Sequence, residues 1–418
     1  MRRLSFLAFA AAAACMRAAP PDSFVLRLAV PGALEPVHPA SHDSYATAAA
    51  DLVFDGVLAP DAGGHVRSAI AREFERLGPD RYRIVVDPRV RLSDGSPLEF
   101  EDVARGAALL GMRAARDGDG IVLESPGRPI EPLLFFAIPF RESGGRALGT
   151  GPYRVTEETP SRIVLDRVAP APGRIARVEL VGAANDRDAL ARTLRGETNG
   201  LLALEPRLVE FVEGIPGLRV VRGPGPHTRV AIFNEARLGA ADVRSVKTAL
   251  PWEVIARYAC GEGTMPRVSA LALADGPPLS VVALDETQPV RLALALRRAL
   301  GRRGGEVKRL DFASYQKLTT THDFDVYVGQ LPAWPPSVLA LSFSPGGMFN
   351  YTSFSSPDVD AAFARGDAEA ARAAIERDAG AVFLCPRERI GAFDARIRNA
   401  SFGRWGVLDT LPDWEVGP

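Results

Sequence analysis

The sequence predicts an α/β protein built from more than one domain, and three observations lead there. The 418 residues are 47% hydrophobic and 24% charged, the balance of a folded chain long enough for two or three cores. From Leu279 onward the pattern alternates: strand (Leu279 to Leu284), helix (Val290 to Leu300, apolar at Leu292, Leu296 and Leu300), then strands Val307 to Leu310 and Phe324 to Val328. Such alternation implies a sheet with much parallel pairing and crossover helices. Two turn-rich stretches, Leu92 to Val103 and Gly149-Thr150-Gly151-Pro152-Tyr153, hold no nucleophile, metal cluster or phosphate cradle and read as architecture.

In chain order, Phe24 to Val30 alternates like a strand and leads through Leu34-Glu35-Pro36 to a loop with His38, His42 and Tyr45. A helix is expected from about Tyr45 to Val57, with Ala49, Leu52, Val53 and Val57 near helical spacing. Glu73 to Leu77 and Tyr82 to Val86 read as strands around Gly78-Pro79-Asp80. Asp94-Gly95 supplies the freedom for a tight turn, and Glu99, Glu101 and Asp102 sit near the positive end of the helix after it. The glycine-bracketed turn at Gly149 to Tyr153 delivers a strand over Tyr153 to Leu165. Asn185 caps a helix that ends at Gly196, with Leu190 and Leu194 on one face.

The formal net charge of −1 gives no electrostatic footprint for nucleic acid, and no internal apolar run reaches membrane-spanning length. Residues 1–14 read as a secretory signal peptide: Arg2-Arg3, a short apolar core, then Ala12-Ala13-Ala14 before Cys15. Cys15 is a lipidation candidate, with an incidental cysteine in an alanine-rich leader as the other reading. In an oxidising compartment the remaining pair, Cys260 and Cys385, is a disulfide candidate; two buried thiols that never meet is the alternative.

Taken in order, Phe54-Asp55-Gly56-Val57-Leu58, Ser93 to Val103, Gly149 to Tyr153, Leu194-Arg195-Gly196-Glu197, Phe233-Asn234 with Asp242-Val243-Arg244, Phe324-Asp325-Val326, and Asn350-Tyr351-Thr352 with Ser356-Pro357 and Val359-Asp360 form a series. That series resembles the extracellular solute-binding proteins of the peptide/nickel ABC-transporter type, solute-binding family 5. The resemblance implies a two-lobed periplasmic-binding-protein-like fold (type II), with mixed sheets and a ligand cleft between lobes. It places lobe I at 15–241 with a reduced subdomain at about 45–150, lobe II at 242–395, and a return to lobe I at 396–418. Crossings between lobes are expected near Asp242 to Lys247 and Ile390 to Arg398. It further implies a monomeric, exported, membrane-anchored lipoprotein that captures a peptide-like or other small solute and hands it to an ABC permease, with no cofactor. A sensory protein that kept the fold and lost transport is the alternative.

The resemblance places Tyr45, Phe233, Asn234, Trp334, Asn350 and Tyr351 as ligand-binding candidates. It also marks a departure. Peptide receptors of this type carry an aspartate for the peptide's amino group where this chain has Leu331-Pro332-Ala333-Trp334-Pro335-Pro336, with no acid between Asp325 and Asp358. A buried ammonium without a partner is costly, so free α-amino peptides are expected to bind weakly, and Trp334 to define a different pocket. His38 and His42 are four apart, but Pro36 and Pro39 oppose a continuous helix, so no metal site is expected there. No nucleophile elbow, zinc-binding helix motif or nucleotide fingerprint is present, and no enzymatic activity is expected.

Overall fold

The computed structural model describes residues 24–41, 44–61, 63–260, 276–285, 287–311, 314, 317–319 and 321–417. The expected signal peptide and Cys15, and His42, lie outside the described residues.

One ten-stranded mixed sheet forms the frame. Its strands in chain order are β1 (Val25–Pro31), β2 (Tyr153–Thr159), β3 (Arg162–Arg167), β4 (Arg177–Ala183), β5 (Gly200–Leu201), β6 (Leu218–Phe233), β7 (Leu279–Leu284), β8 (Gly304–Leu310), β9 (Val326–Pro332) and β10 (Ala381–Asp394). They lie in the order β2-β3-β4-β1-β5-β10-β6-β9-β7-β8. Strand β1 runs parallel to β4 and β5, and β7 runs parallel to β8 and β9, each group backed by helices. The long strands β6 and β10 pair antiparallel through the middle and belong to both halves. The segment expected as one strand over Tyr153 to Leu165 is a hairpin, because Pro160-Ser161 turns the chain and β3 pairs back on β2.

The first lobe packs its core from β1, β3, β4 and helix α1 (Ser44–Val53), closed by Ile397, Phe402, Leu408, Leu411 and Trp414 of the C-terminal tail. A smaller antiparallel sheet (Ala71–Gly78, Arg81–Val86, Arg113–Asp117, Gly120–Glu124) and helix α2 (Phe100–Leu109) form its subdomain. Helix α2 is started as its sequence suggests: the Asp102 carboxylate accepts the Glu99 N–H at 3.0 Å, while Arg141 holds the same buried carboxylate at 2.6 and 3.0 Å. The two architectural stretches meet, Ser93 N donating to Gly149 O at 2.8 Å. The second lobe has a core on each face of its part of the sheet. Cys260 and Cys385 are joined there, with Cα atoms 6.4 Å apart.

The passages between lobes fall upstream of the expected positions. Asp242 to Lys247 lies within the helix Ala240–Ala249 of the second lobe, and Ile390 to Asp394 already pairs with first-lobe strands. The pairing of β6 with β10 breaks between Pro224 and Thr228, opposite Pro386 to Glu388. Gly223 and Pro224 lie opposite Arg389 and Glu388, and Thr228 lies opposite Pro386, so the unpaired stretch runs through Gly225-Pro226; prolines cannot donate to the ladder and glycines allow the bend, so the neck is two strands wide and locally unpaired.

Candidate functional site

The lobes are in contact. Val338 and Leu341 of the second lobe are buried among Ile130, Leu133, Leu134 and Phe135 of the first. Burying a side chain of this size contributes about 1.5–3 kcal/mol. Arg76 donates to the carbonyl of Ala364 at 3.1 Å, capping the last turn of the second-lobe helix Pro357–Ala364. The Trp334 ring lies against Gly64, and the guanidinium of Arg404 sits 4.5 Å above that ring.

Near these contacts lies a cluster of half-buried polar groups. Asp51, Asp55, His227 and Arg389 are each half-buried. The residues come from α1 and the turn after it, from the neck strands β6 and β10, and from the tail.

The tail loop 403–409 is the organising element. Arg389 donates to the carbonyls of Gly403 at 2.7 Å and Trp405 at 3.0 Å, and also to that of Gly406. From the opposite side the Asp51 carboxylate accepts the N–H groups of Val407 at 2.5 Å and Leu408 at 3.2 Å, and Asp409 accepts that of Gly406 at 3.1 Å. Held this way, the loop sets Trp405 edge-on to Phe135 and Phe136, with centroids 5.5 and 5.3 Å away, and aims Arg404 at Trp334. Asp55 is oriented by Thr150 of the glycine-bracketed turn, whose hydroxyl donates at 2.9 Å. Thus the Phe54 to Leu58 and Gly149 to Tyr153 stretches jointly build one wall.

Burial, with Asp409 adding repulsion, pushes the Asp51 carboxyl up to about 7. Burial, reinforced by Arg387 and Arg389, pushes His227 down to about 3, so the imidazole stays neutral. For Asp51 the folded protein holds the proton more tightly than the unfolded chain. Its contribution is therefore fully present below pH 3.8 and is lost as pH rises through about 7. Asp51→Asn, which keeps an acceptor for the loop N–H groups, is expected to flatten the decline of thermal stability across this window. Melting temperatures from pH 4 to 8 for both proteins check this; parallel profiles would contradict it.

Of the six residues placed by resemblance, Trp334 reaches the interface between lobes, where it is 8% exposed. The others serve packing. Phe233 is fully buried in the second-lobe core, edge-on to Trp252. Asn234 is fully buried, its amide donating to the carbonyls of His322 and Phe324 at 2.9 and 3.0 Å. Asn350 ties its own loop together through Ser344 and Phe354. Tyr351 packs on Tyr327 and Phe349, and burial pushes its phenol up to about 12. Tyr45 lies against the first core. These positions face inward because the adjoining strands and loops need their apolar surface or amide groups there. The signal that could have found Asp51 is its setting: it is the one charged residue of the otherwise apolar or hydroxyl-bearing α1 sequence SYATAAADLV.

Two surface hollows of about 370 and 450 Å³, beside Leu294 to Gly304 and Ala241 to Ala249, lie on second-lobe elements away from this cluster. Among the described residues no three His, Cys, Asp or Glu side chains converge as a metal site, and no helix is long and apolar enough to cross a membrane.

No family model and no curated protein sequence matches the chain. Solved structures do match. The binding protein AgaA of A. tumefaciens R10 in complex with agropinic acid aligns at TM-score 0.73 and 13% identity, over 94% of this chain and 99% of that one. The chain has the two-lobed fold of such binding proteins. Oligopeptide-binding AppA of Bacillus subtilis in complex with a nonapeptide gives TM-score 0.71 at 14% identity, covering 94% and 99% of the two chains. NikA of Staphylococcus aureus in complex with Ni(L-His)2 gives 0.69 at 11% identity, again with 94% and 99% covered. These matches bear out the fold expected from the ordered series of motifs.

Proposed function

We propose that this protein is the substrate-binding subunit of an ABC importer. It takes a small solute, peptide-like or otherwise, into the cleft between its lobes and presents the closed form to a membrane permease, without chemistry on the solute. The observation that carries this reading is the two-lobed arrangement itself: the lobes meet at Trp334, Gly64 and Arg404 and are joined by two neck strands whose pairing is interrupted at Pro224 to Thr228. Rotation about such a neck opens the cleft between the lobes, and a solute touching both lobes favours closure because it binds the closed state better. Export by residues 1–14 and anchoring through Cys15 complete the reading.

Mass spectrometry of compounds released on denaturing the natively purified protein tests capture. Titrating the released compound back, while following fluorescence of Trp334 and Trp405, is expected to show a saturable change. Deleting the protein should abolish uptake of that compound by the cell. A protein that retains no compound and responds to no cell extract would overturn the reading, while saturable binding with unchanged uptake would favour the sensory alternative.

A further inference from the structure

The second-lobe helix Pro357–Ala364 ends with one carbonyl left over. Arg365 N donates to Ala361 O at 3.2 Å, Asp367 N to Ala362 O at 2.9 Å, and Gly366 N to Phe363 O at 2.9 Å. The chain then turns away at Gly366, with φ of +75°. Ala364 O receives no backbone N–H among the described residues, the ordinary condition of a last-turn carbonyl. Its donor comes from the other lobe. Arg76 Nη2 donates to Ala364 O at 3.1 Å and reaches Phe363 O at 3.4 Å.

The position of Arg76 suits it to this bond. It lies on Ala71–Gly78, an edge strand of the first-lobe subdomain sheet. From Arg72 to Leu77 every other residue is exposed, and Arg76 is half-buried. Its Nε donates to the carbonyl of Gly78 at 3.3 Å, which steadies the guanidinium as it crosses to the helix. The negative end of a helix favours a cation there. Gly366 leaves room for it, since a Cβ at that position would lie 2.9 Å from Arg76 Nη1. No part of this contact involves a solute.

We infer that Arg76 is a latch that holds the two lobes closed in the absence of a solute. Closure gives the Ala364 carbonyl its donor, and opening returns both groups to water. In a receptor such a latch slows entry and escape of the solute alike, because each requires reopening.

The measurement needs no solute, so its failure leaves the receptor reading standing, and failure of solute capture leaves the latch standing. Nitroxide labels on Leu109→Cys in α2 and Leu294→Cys in the second lobe, both exposed in the parent, report lobe separation by double electron–electron resonance. A Cys15→Ser background leaves the Cys260–Cys385 bond intact. The parent without solute is expected to give one short distance. Arg76→Gln should add a longer one, with the closed-to-open ratio falling about tenfold, the size expected for one hydrogen bond from a charged donor. Gly366→Ala, which displaces the guanidinium from the second-lobe side, should act in the same direction. Adding it to Arg76→Gln should change nothing further, because both act through one contact. A parent already open without solute, an Arg76→Gln distribution identical to the parent's, or additive effects of the two substitutions would each overturn the inference. Circular dichroism establishes that each variant is folded; where one is not, the other decides alone.

Discussion

Replacing both Cys260 and Cys385 by serine is expected to lower the unfolding free energy by about 4–5 kcal/mol. The bond joins residues 125 apart in sequence, and the chain-entropy model assigns a closed loop of this length roughly that stabilisation, through restriction of the unfolded chain. It ties the end of the helix Trp252–Ala259 to β10 in the second lobe, next to the neck. The double variant avoids the unpaired thiol that a single replacement leaves. Urea unfolding of the double variant, beside the oxidised and reduced parent, is the measurement. The reduced parent should resemble the double variant, and a loss below about 1 kcal/mol would show that the unfolded chain is already restricted by other contacts.

Trp414→Ala should cost about 3–5 kcal/mol, the range for emptying a large aromatic site in a packed core. Trp414 is 1% exposed, packs edge-on to Phe393 at 4.9 Å, and donates from its ring nitrogen to Thr410 at 3.2 Å. Its neighbours are pinned as well: Asn399 donates to the carbonyl of Asp413 at 2.9 Å and accepts the N–H of Glu415 at 2.7 Å. The tail also supplies the loop that carries Arg404. Loss of Trp414 is therefore expected to disturb that loop along with stability. Denaturant midpoints of the variant and the parent are the measurement; a Trp414→Ala protein with parental stability would show that the tail docks without its tryptophan.

Much of the secondary structure is legible in the sequence because its signals are local. Asn185 caps its helix, accepting the Asp188 N–H at 3.0 Å, and Gly196 follows that helix with φ of +74°. Gly95 turns the chain with φ of +88°. The strand Leu279–Leu284 is readable from its β-branched run. The hairpin at Pro160-Ser161 is not, because both of its arms alternate in the same manner as one long strand, and pairing partners are not written in periodicity. Gly149 and Gly151 are readable as a turn, but the reason for Gly149 is tertiary: a Cβ there would lie 2.1 Å from the carbonyl oxygen of Val53.

The candidate site is less legible. Phe233, Asn234, Asn350 and Tyr351 occupy positions where resemblance suggests ligand contact, yet this chain spends them on its second-lobe packing, since whether a side chain faces a core or a cleft depends on neighbours far away in sequence. The same holds for charge. From its order of residue types alone, this sequence determined an α/β chain with the cysteine pair Cys260 and Cys385 and a series of turns that resembles a two-lobed fold. The tertiary structure alone decided that Arg389 is consumed by loop carbonyls while Arg404 has an aromatic face and, among the described residues, no acid. Partnering of a guanidinium is set by which backbone groups arrive beside it, and the loop 403–409, α1 and β10 that meet here come from opposite ends of the chain.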